Sequence, residues 1–314
     1  MALLNTKRKL LIIGVIVFVT VGLEVYLRMY YGFCNTVLFQ VDPEFEYIAQ
    51  PNQQRYRFRN NIVYNSKSMR SEEIDSTAEI ILGFGDSILN GGVLTDQDSL
   101  ATTIISNSLS NLYQKKIQFL NISSGSWGPD NAHAYLEKYG NFNSKSIFLF
   151  VSSHDAYDNM EFEENVDKYA QLPSKQYSIA IYELFDRYLL PRISQKLNPS
   201  TSQNNGSGID KRNRTNSFNP GFQSFLDYAN AHNMSFTIYL HADYSELIAC
   251  EYNEQGQKII AFAKAHSIPL VLDLKYDPEI PDLRDGIHLT NQGQRKMAKT
   301  IINYITEQRT TNGE

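Results

Sequence analysis

The sequence predicts an α/β protein in which a five-stranded parallel sheet lies between two layers of helices. Between residues 79 and 307, five short apolar segments alternate with longer segments whose apolar residues recur at helical spacing. Such alternation predicts parallel neighbouring strands with helices on both faces of the sheet. The strand segments also lack polar alternation, as in SIFLFV at residues 146–151, which is expected when both faces are buried. The predicted fold is a three-layer α/β/α sandwich.

The boundaries of the elements follow from the apolar runs and the turn residues between them. Strands are predicted at residues 79–84, 117–122, 146–151, 235–240 and 269–274. Helices are predicted at residues 99–113, 130–139, 218–232, 246–265 and 291–307, with partly helical structure at 160–198. The polar stretch 199–217 is too rich in Gly, Ser and Asn to bury a core, and we expect a mobile insertion there.

The N-terminal segment predicts a membrane anchor. A basic cluster at residues 7–9 precedes an apolar run at residues 10–23. If Glu24 and Arg28 pair on one face, the helix extends over residues 10–31 and spans roughly 33 Å, close to the ~30 Å hydrocarbon core. The basic cluster places the N-terminus in the cytoplasm and the rest of the chain outside it.

A cleaved signal peptide and a buried core helix are the alternatives for this segment. The run is followed by LRMYYGFCN, which is bulky where a cleavage site needs small residues. Its aromatic residues suit the outer membrane interface. The uncleaved anchor is therefore the favoured interpretation.

These features divide the chain into five parts and one insertion. They are a cytoplasmic tail at 1–9, a transmembrane anchor at 10–31, an irregular region of short extended pieces at 32–78, the α/β domain at 79–307 with its insertion at 199–217, and a tail at 308–314.

Composition excludes several classes of function. With 29 Lys and Arg against 34 Asp and Glu, the net charge of -5 argues against a nucleic-acid-binding face. Two cysteines, Cys34 and Cys250, cannot form a disulfide framework, although one bond between them stays open. A domain outside the cytoplasm has no ready supply of ATP or reduced nicotinamide, which argues against kinases and dehydrogenases.

Polar or glycine-rich segments follow the first three predicted strands and precede the last helix. They lie at residues 85–92, 124–128, 152–155 and 285–290. Ligands of parallel sheets bind outside the carboxyl ends of the strands, so these segments are expected to meet at one edge.

Within these segments, Ser87, His288 and Asp285 form a candidate catalytic triad. A serine in a tight strand-to-helix turn projects its hydroxyl into the cleft, beside helix amides that stabilise an oxyanion. His288 would act as the base, and Asp285, three residues earlier, would hold its Nδ1–H. Leu89 stands where the G-x-S-x-G elbow of α/β-hydrolases has its second glycine, so a different scaffold is expected.

Four sequence blocks together resemble the SGNH/GDSL hydrolases over about residues 79–307. The blocks are GDSIL at 85–89, NISSGSWGPDN at 121–131, SSHD at 152–155 and DGIHLTNQG at 285–293. The resemblance implies a flavodoxin-like sheet, no cofactor, and Ser87 as nucleophile with Asp285 and His288 completing the triad. It also implies that the oxyanion is held by the amides of Ser87 and Gly125, with Gly128 as the alternative glycine, and by an asparagine side chain.

The asparagine of the family pattern is replaced by His154 in this sequence. An imidazole N–H also donates hydrogen bonds to an oxyanion. We therefore expect His154 to be the third donor, while a different substrate or reduced activity stays open.

Other residues have plainer interpretations. Asp86 is expected to brace the turn backbone, and His241 and Asp243 to be surface or capping residues. The histidines inside or at the ends of helices are expected to be solvated or to pair with helix dipoles, and the Tyr-rich segment 45–64 to serve packing. No His, Cys and Asp cluster has ligand spacing, so no metal site is predicted.

The predicted function is that of a membrane-anchored serine esterase outside the cytoplasm, acting on an acylated glycan or another ester, with O-acetyl as the favoured acyl group. An O-acetyltransferase of exopolysaccharide or cell wall would use the same triad. A lipase or thioesterase and an inactive scaffold of a polysaccharide-export assembly are further alternatives. The oligomeric state is not predicted.

Overall fold

The computed structural model describes residues 2–197 and 217–312. Its strands are β1 (Phe39–Asp42), β2 (Glu46–Ala49), β3 (Gln53–Arg57), β4 (Asn60–Tyr64), β5 (Glu79–Gly85), β6 (Ile117–Ser123), β7 (Ser146–Ser152), β8 (Ser235–His241) and β9 (Leu270–Leu272). Its α-helices are α1 (Ala2–Tyr31), α2 (Ser87–Asn90), α3 (Ala101–Tyr113), α4 (Pro129–Tyr139), α5 (Ala180–Leu184), α6 (Leu190–Leu197), α7 (Gly221–Ala231), α8 (Tyr244–Ala249), α9 (Glu254–Ala265) and α10 (Asn291–Asn312).

Strands β5 to β9 form one parallel sheet in the order β6-β5-β7-β8-β9. Numbered within the sheet, this is the 2-1-3-4-5 order of flavodoxin-like folds. Helices α4, α7 and α9 cover one face, and α3 and α10 cover the other. The predicted five-stranded sandwich is confirmed, and the carboxyl ends of β5, β6 and β7 lie next to each other at one edge.

Each face of the sheet buries its own apolar core. One core contains Phe84, Phe225 and Ile259, all fully buried. The other contains Ile105 of α3 and Ile301 of α10. Because both faces are covered, the strand sequences carry no exposed alternation, as the sequence pattern implies.

Two of the predicted elements are wrong in detail. The helix expected at 246–265 is two helices, because Cys250 adopts a left-handed backbone (φ 54°) that ends α8. Asn253 then caps α9 by accepting hydrogen bonds from the amides at its start. The last strand is shorter than the predicted 269–274, because a 3₁₀ turn begins at Asp273.

Residues 32–78 contain two antiparallel hairpins, where the sequence indicates irregular extended pieces. Strand β1 pairs with β2, and β3 pairs with β4. The hairpins pack through buried side chains such as Ile48 and Ile62. The Tyr-rich segment 45–64 therefore contributes to packing, as predicted, with Tyr47 and Tyr64 buried.

Helix α1 contains an apolar segment, Thr6–Tyr31, that is long and apolar enough to cross a membrane. Its most apolar stretch has a mean hydropathy of 2.6 and is only 6% buried, and no second such helix occurs among residues 2–197 and 217–312. The predicted Glu24–Arg28 pair is present, with Arg28 Nε 2.7 Å from Glu24 Oε1.

Apart from residue 217, the insertion predicted at 199–217 lies outside the described residues. Cys34 and Cys250 are both free thiols, so the open question of a bond between them is answered.

Candidate active site

The turn after β5 presents Ser87 at the start of a short helix. Asp86 caps α2, with its Oδ1 accepting the amide of Ile88 at 2.9 Å, so the predicted bracing role is confirmed. Helix α2 ends at Gly91, whose left-handed backbone (φ 71°) suits glycine. As the first helical residue, Ser87 has an amide that no acceptor within the described residues occupies. This amide is therefore available to an oxyanion.

Ser87, His288 and Asp285 are connected by hydrogen bonds in the described structure. His288 Nε2 lies 3.0 Å from Ser87 Oγ. When the ring proton is on Nδ1, facing Asp285, Nε2 accepts the hydrogen bond that the Ser87 hydroxyl donates. His288 Nδ1 lies 2.9 Å from Asp285 Oδ2 and 3.1 Å from Oδ1. Geometry of this kind lets a histidine remove the serine proton while a carboxylate stabilises the imidazolium.

The carboxylate of Asp285 is held by its own loop. The amides of Ile287 and His288 donate to Asp285 Oδ1 at 3.0 and 2.9 Å. Burial raises the pKa of Asp285, but these amides and the charge of His288 outweigh burial, so the pKa lies below its ordinary value. Asp285 is therefore ionised at neutral pH.

The loop carrying His288 is tied to the rest of the site from two sides. Arg284 donates its amide to the His288 carbonyl at 2.7 Å, and its guanidinium donates to Thr95 Oγ1 at 3.0 Å. Gln294, fully buried on α10, donates to the Ile88 carbonyl at 3.1 Å and so connects this helix with the nucleophile helix. These contacts fix the distance between base and nucleophile.

The loop after β6 supplies Gly125. Tyr47, on the β1–β2 hairpin, donates its hydroxyl to the Gly125 carbonyl at 2.7 Å. The Gly125 amide has no acceptor among the described residues. The Gly128 amide instead donates to Asn131 Oδ1 at 2.9 Å, so Gly125 stays the proposed glycine donor.

His154 lies in a 3₁₀ turn after β7, close to Asp86, the residue before Ser87. Its Nε2 is 3.9 Å from Asp86 Oδ2 and 3.7 Å from Asp155 Oδ1, and about a third of its side chain is exposed. Burial raises the pKa of Asp155 to about 8. The role of His154 as third oxyanion donor stays a prediction.

Among the described residues, Asp86, His154 and Asp155 form the cluster that most resembles a set of metal ligands. The ligand atoms of Asp86, His154 and Asp155 all lie within 4.8 Å of one another. Spacing in the sequence does not reveal this group, because Asp86 follows β5 whereas the other two residues follow β7. One Asp86 oxygen already accepts the Ile88 amide, so the set offers few unshared ligand atoms.

His241 was expected at the surface and is instead buried. Its Nδ1 lies 2.7 Å from Asp273 Oδ2, and its Nε2 lies 2.9 Å from the carbonyl of Ile287, beside the triad histidine. Burial lowers the pKa of His241, but the charge and hydrogen bond of Asp273 outweigh it and leave the pKa above its usual value. The capping role predicted for Asp243 is confirmed on α8.

Sequence reasoning missed the polar network under the nucleophile helix. Asn90 donates to the Ser123 carbonyl at 3.0 Å and accepts from Tyr64 Oη at 3.2 Å. Asn121 donates to the carbonyl of Leu89 at 2.8 Å. The one available signal was the polar pair at the end of an otherwise apolar strand, Asn121 and Ser123.

The remaining histidines lie away from this edge of the sheet. His133 packs edge-on against Phe225 and Tyr228, between two helices. His232 Nδ1 donates to the Tyr228 carbonyl at 2.9 Å, and the ring of His266 lies against that of Phe262. They lie on or at the ends of helices, as predicted; His232 and His266 are exposed, as predicted, whereas His133 is half-buried.

Comparison with known proteins finds no matching family model and no matching curated protein. Among solved structures, the chain is similar to the lipase/acylhydrolase from Enterococcus faecalis, with 13% identity, 73% of this chain and 96% of that chain covered, and a TM-score of 0.44. It is also similar to a two-domain esterase active on acetylated mannans (10% identity, 74% and 50% covered, TM-score 0.42). A carbohydrate acetylesterase family member from Sinorhizobium meliloti shows 11% identity, 75% and 100% coverage and a TM-score of 0.38. Similarities this distant assign no activity.

The chain's own features agree with the resemblance seen in its motifs. The sheet order is flavodoxin-like, and the four blocks lie at one sheet edge. Ser87, His288 and Asp285 are joined by hydrogen bonds. In fold, in the order of its motifs and in the arrangement of these three side chains, the chain resembles the SGNH/GDSL hydrolases.

Proposed function

We propose that the protein is a membrane-anchored serine esterase of the SGNH/GDSL type that removes acyl groups from a glycan outside the cytoplasm. The observation that carries the proposal is the continuous hydrogen-bonded path from Ser87 Oγ through the His288 ring to the Asp285 carboxylate. A lone serine at a helix start is usually a cap, but here Asp86 already performs that role. The hydroxyl of Ser87 is therefore free for chemistry.

In the proposed mechanism, His288 Nε2 takes the proton of Ser87 as Oγ attacks the ester carbonyl. The imidazolium then gives that proton to the leaving alcohol, and an acyl-serine remains. Water, deprotonated by His288, attacks this acyl group, and the proton returns to Ser87 as the acid leaves. Asp285 keeps its negative charge throughout and stabilises the imidazolium.

The negative oxygen of the tetrahedral intermediate needs hydrogen-bond donors. The amides of Ser87 and Gly125 have no acceptor within the described residues. His154 is proposed as a third donor because it stands where the resembled family has its asparagine. Removing one such donor typically lowers turnover by about 10²–10³-fold. The hydroxyl of Tyr47 supports the Gly125 loop from below.

Two features support a large, external substrate. The side chains of Asp285 and His288 are about one half and one third exposed, so the site is open at the surface. The apolar α1 suits an anchor that would hold this site near the outer membrane surface. Together with the resemblance to a family rich in carbohydrate esterases, these features favour an O-acetylated glycan.

The test compares the full chain in detergent with its Ser87→Ala variant. Full-length protein is used because Glu24 of α1 accepts hydrogen bonds from the amides that begin α5. Acetate release is measured from p-nitrophenyl acetate and from an acetylated oligosaccharide, with and without an unacetylated sugar acceptor. Ser245→Ala, at an exposed position on α8, serves as the control.

We expect acetate release by the wild type and the control, and a loss of about 10³-fold or more in Ser87→Ala. Acetyl groups found on the acceptor sugar instead of in solution would replace the esterase with the O-acetyltransferase, which uses the same acyl-serine. Absence of turnover on both substrates would contradict both enzymes and favour the scaffold alternative.

A further inference from the structure

The chain continues from α5 to α6 as one helix, Ala180–Leu197, with a π-helical turn at Phe185–Leu189. One side of this helix packs on the protein. Ala180 is fully buried against Leu27 and Phe33, and Leu184 and Tyr188 pack against the same cluster.

The start of this helix is joined to the end of the candidate anchor. Glu24 accepts the amides of Ala180 and Ile181 at 2.8 and 3.0 Å, and Arg28 donates to the Ser178 carbonyl at 2.5 Å. Residue 27 lies about 26 Å along α1 from residue 10, at about 1.5 Å per residue. The contact is therefore at the outer boundary of a ~30 Å hydrocarbon layer that α1 would cross.

The helix also carries large apolar side chains that the described residues leave about half exposed. Tyr182 is 57% exposed and Ile193 46% exposed. The exposed apolar side chains recur at helical spacing: Ile179, Tyr182, Phe185, Leu189, Leu190 and Ile193. Elsewhere on the α/β domain, large exposed apolar residues such as Leu94 and Leu112 are scattered. A concentrated apolar face of this kind marks an interaction surface.

Charge and residue type on this helix match a lipid surface. Arg192 and Lys196 are exposed in its last turns, where they would meet anionic headgroups. Its aromatic members, Tyr182 and Phe185, are typical of side chains that reside at the membrane interface. The helix has two acidic residues: Glu183 points inward, paired with buried Arg57 at 2.6 Å, and Asp186 accepts the hydroxyl of Tyr177 at 2.5 Å.

We propose that residues 179–197 form an interfacial helix whose apolar face lies in the outer headgroup region of the membrane crossed by α1. The proposal rests on the anchoring part of the proposed function, because α1 holds the start of this helix through residues 24–28. Such helices bury an apolar face in the interface plane and add electrostatic attraction to anionic lipids. The helix would fix the orientation of the catalytic edge relative to the membrane.

The test is site-directed spin labelling of the full chain in liposomes of phosphatidylcholine and phosphatidylglycerol, in a Cys34→Ala, Cys250→Ser background. Single cysteines are placed by Phe185→Cys and Ile193→Cys on the helix. Phe18→Cys reports on the anchor, and Leu112→Cys, exposed on α3, is the aqueous control. Collisions of each label with oxygen, which concentrates in lipid, are compared with those of a water-soluble nickel chelate.

The labels at 185 and 193 are expected to show an oxygen-to-nickel ratio severalfold above that of the label at 112, and the label at 18 a higher ratio still. If the helix labels match the label at 112 while that at 18 is lipid-buried, the interfacial helix is overturned and the anchor stands. If the label at 18 is aqueous, the anchor fails and the interfacial helix, which rests on it, is overturned with it. Protection of 185 and 193 from both reagents would show that protein covers the face, a second copy if the spectra broaden by spin–spin contact, and would also overturn the proposal.

Discussion

At the scale of single residues, His154 is the clearest departure from the family pattern. Its ring lies near two carboxylates, with Nε2 3.9 Å from Asp86 Oδ2 and 3.7 Å from Asp155 Oδ1. At this position a histidine supplies a ring N–H donor, where the SGNH/GDSL pattern has the side-chain amide of an asparagine. The histidine therefore keeps a hydrogen-bond donor at this position, but its ring is larger than an asparagine side chain and can take up a proton.

If His154 is the third oxyanion donor, His154→Ala lowers kcat with an activated ester by about 10²-fold or more and changes KM little. His154→Asn restores a donor and should recover part of the loss. Steady-state kinetics of the two variants, with the melting temperature as a check on folding, test this. Full turnover in His154→Ala would remove the residue from the oxyanion site.

Asp155 predicts a pH dependence of stability. Burial raises its pKa from 3.8 to about 8, while His154 opposes this and Asp86 and Asp158 add to it. The folded protein thus holds this proton more tightly than the unfolded chain does. The contribution to stability is fully present below about pH 4 and is lost as the pH rises towards about 8.

In Asp155→Asn this decrease in stability should disappear. Chemical unfolding followed at intervals between pH 4 and pH 8 measures it, with Asp98→Asn on an exposed 3₁₀ turn as the control. Parallel stability curves for wild type and Asp155→Asn would contradict the raised pKa of this carboxyl group.

At the scale of elements, the hairpin β3–β4 is connected to α5 by a buried ion pair. Arg57 and Glu183 are 1% and 0% exposed, with 2.6 Å between Nη2 and Oε1. The Arg57 guanidinium also lies over the rings of Phe33 and Phe58. This pair is central to the contact between the β3–β4 hairpin, the end of α1 and α5.

Removing one partner leaves a buried charge unpaired, so Glu183→Leu should lower the free energy of unfolding by about 3–5 kcal/mol. The double variant Arg57→Met, Glu183→Leu should recover part of that loss, because Arg57 is then no longer an unpaired buried charge, whereas Arg187 still loses its contact with Glu183. Chemical denaturation in detergent gives the comparison. If Glu183→Leu alone is as stable as the double variant, an unpaired Arg57 costs no stability, which would contradict coupling between the two charges.

Elements with a regular pattern of apolar residues were predictable from sequence. Elements that depend on the backbone conformation of one residue, or on strands of mixed composition, were not. Strands β5 to β8 and helices α3 and α10 are continuous apolar or amphipathic runs, so their pattern fixes both type and place. The break in the predicted helix 246–265 depends on a left-handed Cys250, which has no sequence signature comparable to glycine. The hairpins at 39–64 were missed because their mixed polar and aromatic strands have no clear alternation.

At the scale of the whole molecule, the candidate triad was predictable because its blocks follow predicted strands of a parallel sheet. The supporting contacts were not predictable, since they join distant segments. Tyr47 reaches Gly125 from the N-terminal hairpin, and Gln294 reaches Ile88 from the last helix. His241 was misjudged for the same reason, because its partner Asp273 follows another strand.

The contact between α1 and α5 favours an anchor that is retained. Glu24 and Arg28 lie upstream of any cleavage near residue 32, yet they bind the start of α5. Cleavage would leave two helix amides and the apolar Ala180 uncovered. N-terminal sequencing of the membrane-bound protein should therefore find a start before residue 10, and a mature start near residue 32 would contradict the uncleaved anchor.

The central claim is that Ser87 is a nucleophile activated by His288, and covalent labelling tests it most directly. The full chain is treated with a fluorophosphonate, and the modified residue is located by mass spectrometry of its peptides. We predict one equivalent of label on Ser87 and little or none in His288→Ala, whose serine lacks its base. An unlabelled Ser87, or labelling that is unaffected by His288→Ala, would contradict the account.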